Sequence, residues 1–162
     1  MINLSLNTFP KEMSQSLFSS LMQIGKKTNT NLIEKPVEIQ RSIKFAPSAI
    51  KLSLYKKLIG SSSDFIPLYF PYSLLTPLHF SLVTDKNFPF APLGILHKEE
   101  KIQLLNKLEY GEWEFKTYIK SYGPVDGGYQ FSLFSDLYIN GLISWKSETV
   151  AYKREGEKQK RK

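Results

Sequence analysis

The chain has no cysteine. Disulfide bridges, zinc–thiolate centres and a cysteine nucleophile are thereby excluded, and the lack suits a reducing compartment. Histidine is scarce as well. His79 and His97 are the only two, and without a neighbouring run of carboxylates they argue against a structural metal site. No apolar stretch is long enough to span a bilayer. The opening MINLSLNTFPKEM has no positive start and no unbroken apolar segment. That pattern predicts no signal peptide and a cytoplasmic protein.

What is present fits one globular domain. The chain has 162 residues, 41% of them apolar and 14% aromatic, so a real core can form and strands are favoured. The formal charge of +7 is unevenly spread. The last twelve residues, AYKREGEKQKRK, hold six Lys or Arg against two Glu, which leaves +3 for the other 150. This tail reads as a solvated terminus. The body has no basic stripe interleaved with aromatics, so nucleic acid is not an expected partner.

Residues 12–25, EMSQSLFSSLMQIG, place Leu17, Phe18, Leu21 and Met22 at helical spacing before Gly25. A polar connector follows. VEIQRSIKF (37–45) reads as a first strand. In PSAIKLSLYKKLIG, Ile50, Leu54 and Leu58 share one helical face, with Pro47 in the first turn and Gly60 past the end. Pro67, Pro71 and Pro77 forbid one long helix over the next segment. Thr76 as N-cap with Pro77 behind it predicts a short buried helix, ended by Asp85-Lys86-Asn87.

From Leu93 the period changes to two. LGILHKEEKIQLL, EWEFKTYIKSY, YQFSLFSDLYI and LISWKSETVAY read as four meandering strands. Trp113, Phe115, Thr117 and Ile119 fall on one face, as do the odd-numbered residues from Tyr129 to Ile139. GPVDGG and Asn140-Gly141 supply the turns. The fold class is α+β: a curved antiparallel sheet wrapped around a short buried helix, with an extra helix in front. The expected division is 1–35 for that helix and its connector, 36–153 for a single domain, and 154–162 for a disordered basic tail.

His79, near the start of the short helix, is either a buried histidine bonded to backbone or a neutral imidazole serving as base. His97 lies early in a strand, where period two makes Ile95 and Glu99 its face partners. Asp85 reads mainly as a helix end. Tyr69, Phe70, Phe88 and Phe90 are either core or pocket wall.

The run IPLYFPYSLLTPLHFSLVTDKNFPFAPLGILHKEEKI resembles the MaoC-like acyl dehydratases and (R)-specific enoyl-CoA hydratases of the hot-dog superfamily. It resembles in particular the amino-terminal, non-catalytic unit of members built from two hot dogs. The matching positions are Pro67, Tyr69, Pro71, Pro77-Leu78, Phe88-Pro89-Phe90, Gly94 and His97, with Tyr55, Gly60 and Gly141. The resemblance implies a hot-dog fold and a hydro-lyase acting on an acyl thioester of coenzyme A or acyl carrier protein. It implies no dissociable cofactor. The expected partner is a second hot-dog unit, in a homodimer or heterodimer. Catalytic members carry an Asp-x-Asn-Pro-x-His motif, which this sequence lacks. In its place His79 and Asp85 are the expected catalytic pair. Tyr69, Phe88, Phe90, Gly94 and His97 are the expected substrate-binding residues.

Overall fold

The computed structural model describes residues 3–4, 28–35 and 38–154. The helix expected at 12–25 and nearly all of the basic tail lie outside them. The described elements are β1 (Asn3–Leu4), α1 (Thr30–Glu34), β2 (Ile39–Phe45), α2 (Ala49–Leu58), α3 (Phe70–Ser73), α4 (Thr76–Val83), β3 (Ile95–Leu104), β4 (Trp113–Val125), β5 (Gly128–Ile139) and β6 (Leu142–Arg154).

The six strands form one sheet in the order β1-β2-β4-β5-β6-β3. Every pairing is antiparallel except β1 with β2. The four-strand meander predicted from sequence is therefore a three-strand one, β4-β5-β6. β3 does not neighbour β4; it adds to the far side of β6, and β2 takes the free side of β4. The segment between β3 and β4 crosses the end of the sheet. It is tied there by Leu105 and Asn106, whose N–H groups both donate to the Ser144 carbonyl, and by the buried Leu108.

Turn chemistry holds the meander in register. Asn140 and Gly141 have φ of 50° and 81°, the left-handed pair that a two-residue hairpin needs. The expected alternation is realised on β4 and β5: Phe115, Thr117 and Ile119 are buried, and so are Leu133, Ser135 and Leu137.

α4 lies across the inner face of the sheet against β2 and β4. Leu78 and Leu82, one turn apart, are fully buried. The helix starts one residue earlier than predicted, with Leu75 as N-cap and Pro77 in the second helical position. The reason is α3, which runs almost directly into it. α2 differs more. Its N-cap is Ser48, whose hydroxyl accepts from the Lys51 N–H. The row Ile50, Leu54 and Leu58 faces solvent, at 74%, 61% and 84% exposed, while Leu52 is buried and Tyr55 packs on Phe70.

The core has two apolar clusters. One is built around Trp113, Phe115, Trp145, Phe70 and Leu78. The other contains Phe88, Phe90, Phe131, Tyr122, Ile119 and Leu82. Between them runs a row of buried hydroxyls. Thr117 on β4 pairs with Ser135 on β5, which pairs with Ser147 on β6. α4 bridges the row, with Leu78 in the first cluster and Leu82 in the second.

Candidate functional site

A cleft of about 300 Å³ opens beside α4. Its apolar walls are Phe80, Val83, Ile95, Leu133 and Ala151, and its polar groups are Tyr72, Thr76, His79, His97 and Thr149. The two histidines, eighteen positions apart in sequence, are thus brought to one place.

His79 projects from the first turn of α4 onto the hydroxyl row. Its Nε2 lies 3.1 Å from the Ser135 Oγ, and its ring meets Tyr72 edge-on. Burial pushes its pKa down to about 4, with the nearby His97 as the second cause. The imidazole is therefore neutral at physiological pH, with desolvation rather than the helix terminus as the main cause. A base with so low a pKa is poorly matched to proton abstraction near neutrality.

His97 shares the inner face of β3 with Ile95, and the strand turns irregular just beyond it. His97 pairs with Ala151 and Glu99 with Val150, so Lys98 is an extra residue in a β-bulge. The bulge reverses the alternation. Beyond it, Glu100 opposite Thr149 and Ile102 opposite Ser147 share the inner face with His97 and Ile95. Glu99, the face partner predicted from unbroken alternation, is exposed and pairs instead with Lys101. Lys98 itself is fixed by a 2.8 Å hydrogen bond to Gln130.

Sequence reasoning thus missed Glu100. Its side chain is 13% exposed and lies 3.7 Å from the His97 Nε2 through Oε2. The same oxygen accepts from Thr149 at 2.5 Å. Tyr72 joins the group: burial raises its phenolic pKa, its hydrogen bond to Thr149 opposes that rise, and Glu100 adds to it. The other Glu100 oxygen is buried with no hydrogen-bond partner among the described residues. A signal for the bulge was present. Ile95 and Ile102 are both apolar but an odd number of positions apart, and a regular strand cannot turn both inward.

The other expected site residues sit elsewhere. Asp85 is held by Arg41 of β2 at 2.6 Å, and its second oxygen accepts from the Asn87 N–H. It is not among the groups lining the cleft with His79. Phe88 and Phe90 are fully buried and pack, mostly edge-on, with Tyr122 and Phe131 in the second apolar cluster. Tyr69 is 55% exposed just before α3. Gly94, with φ of 80°, turns the chain into β3. Among the described residues, no three His, Asp or Glu side chains converge as metal ligands, and no helix is long and apolar enough to cross a membrane.

The architecture is shared with solved structures of low sequence identity. HtdX from Mycobacterium tuberculosis superposes with a TM-score of 0.64 at 19% identity, over 73% of this chain and 51% of that one. A MaoC-like dehydratase from Phytophthora capsici gives 0.50 at 20%, over 79% of this chain and 50% of that one. The C-terminally truncated HadBC complex of M. tuberculosis, a (3R)-hydroxyacyl-ACP dehydratase, gives 0.54 at 12%, over 72% and 94%. The chain therefore spans about half the length of the first two. No family model and no curated protein matches it by sequence. Taken with the curved antiparallel sheet and the buried helix across it, these matches show that the chain has a hot-dog fold, the fold of MaoC-like dehydratase structures.

Proposed function

We propose that this chain is a hot-dog unit that binds an acyl thioester, of coenzyme A or acyl carrier protein, with the acyl chain in the cleft beside α4. The observation that carries the reading is the make-up of that cleft: apolar walls from Phe80, Val83, Ile95, Leu133 and Ala151, with imidazole and hydroxyl groups gathered among them. Apolar slots with a few convergent polar groups suit small ligands that combine an apolar tail and a polar reactive end. Hydration of an enoyl thioester, or the reverse dehydration, is the chemistry this reading assigns to the site, in a cytoplasmic setting and with no dissociable cofactor.

The test is calorimetric titration with butyryl-CoA, a saturated and unreactive ligand. Binding is expected, and Ala151→Leu, which fills the cleft wall opposite His97, is expected to weaken it about tenfold or more. Equal binding by both proteins, or none by the parent, refutes the reading.

A second reading has its own support: this chain serves as one unit of a pair, with a catalytic hot-dog partner or a second copy. β3 stands at the edge of the sheet over ten residues, with Leu96 and Leu104 exposed on it. Open edges of this length invite a partner strand. Light scattering of the purified protein distinguishes the cases, since a persistent monomer counts against self-pairing.

A further inference from the structure

We propose that His97 is the acid–base residue of the cleft and that Glu100 is its positioning residue. This inference rests on the acyl-thioester reading above and assigns the reacting group within it.

The geometry favours His97 over His79. His79 is only partly exposed, engaged with Ser135 and held neutral to low pH. His97 lines the same cleft with its side chain 51% exposed, open to water and ligand. A carboxylate stands behind it, the Glu100 Oε2 at 3.7 Å. That separation is slightly long for a direct hydrogen bond, as is common for catalytic pairs before ligand binds. Glu100 is itself held. Thr149 donates to Oε2, and Tyr72 lies on the same pair of side chains. Opposite His97 stands Ala151, so the partner strand leaves room in front of the ring.

The whole arrangement depends on the Lys98 bulge. Without the extra residue, Glu100 and His97 would face opposite sides of the sheet. Bulges recur beside active sites because they re-aim side chains in this way.

The step balances with one imidazole. His97 takes a proton from a water in the cleft as the water oxygen forms a bond to C3 of an enoyl thioester. The C2–C3 π pair moves toward the thioester oxygen. The imidazolium then returns the proton to C2 as the enolate collapses, and one water has been added. Glu100 stabilises the imidazolium while it exists and fixes the ring that carries it.

The experiment follows crotonyl-CoA hydration by loss of enoyl absorbance, alongside butyryl-CoA binding and thermal unfolding. His97→Gln is expected to lower kcat about 100-fold or more while butyryl-CoA still binds. Glu100→Gln is expected to lower kcat about tenfold or more with KM unchanged, and Glu100→Asp to restore part of the loss, a split that mere structural support does not produce. Glu99→Gln, on the opposite face, is the control and is expected to match the parent. A parent protein that binds butyryl-CoA without turnover overturns the inference and leaves the binding reading intact. So does a His97→Gln variant within threefold of the parent. A parent that binds no butyryl-CoA removes the reading beneath both.

Discussion

The two sides of α4 in the second half of the core are built from opposite materials. On one side, Phe88, Phe90, Tyr122 and Phe131 close on each other with ring centroids 5.2–6.1 Å apart and no room between them. On the other, His79, His97, Thr149 and Tyr72 surround open space. The Phe-Pro-Phe string, one element of the resemblance to acyl dehydratases, contributes Phe88 and Phe90 to the closed side. The cleft draws its chemistry from other positions of the same run, Tyr72, Thr76, His79 and His97, together with Thr149 of β6. A match in sequence and a site in space are therefore separate observations, even within one short stretch of chain.

The contrast can be broken first by emptying the closed side. Phe88→Ala removes a fully buried ring and is expected to cost about 3–5 kcal/mol, read from urea unfolding. A cost under about 1 kcal/mol would mean that the aromatic cluster is not close-packed.

The open side responds to pH. Folding favours neutral His79, so its contribution is complete above pH 6.5 and declines as pH falls from there toward about 4. Up to about 3 kcal/mol is at stake over that window. Unfolding free energies of the parent and of His79→Gln, measured from pH 7 to 4, should converge as the solution becomes acidic. Parallel curves would rule out a depressed His79.

The smallest expected effect concerns the loop between the two sides. Arg41→Ala and Asp85→Asn should each cost about 1–2 kcal/mol, and the double variant no more than the larger of them, because both remove one partly buried ion pair. Additive losses would show that Asp85 has a separate role.

Much of the fold was legible because alternation and turn residues act locally. The hydroxyls of Thr117 and Ser135 even appeared on the correct faces, since period two is indifferent to polarity. The place of β3 was not legible: joining the far side of β6 depends on a crossing at the sheet end, which nearest-neighbour logic does not contain. The buried face of α2 was not legible for another reason. Helical spacing says which residues lie together and not which row meets the core, and Leu52 rather than Leu54 does so. At the site, His79 and His97 were legible by their rarity. Glu100 was hidden by the single extra residue at Lys98, and the tie of Asp85 to Arg41 spans forty-four positions.

The hydroxyl row also has a mechanical meaning. Thr117, Ser135 and Ser147 are small, and the Thr117 and Ser147 oxygens have no hydrogen-bond partners among the described residues. Apolar packing is interrupted along this line, which forms a crease between the two clusters. The strands cross it unbroken and α4 spans it like a splint, pinned by Leu78 on one side and Leu82 on the other. His79 sits at the middle of the splint, on the crease itself. Through Ser135 it ties the helix to the row at the place where the cleft meets the core.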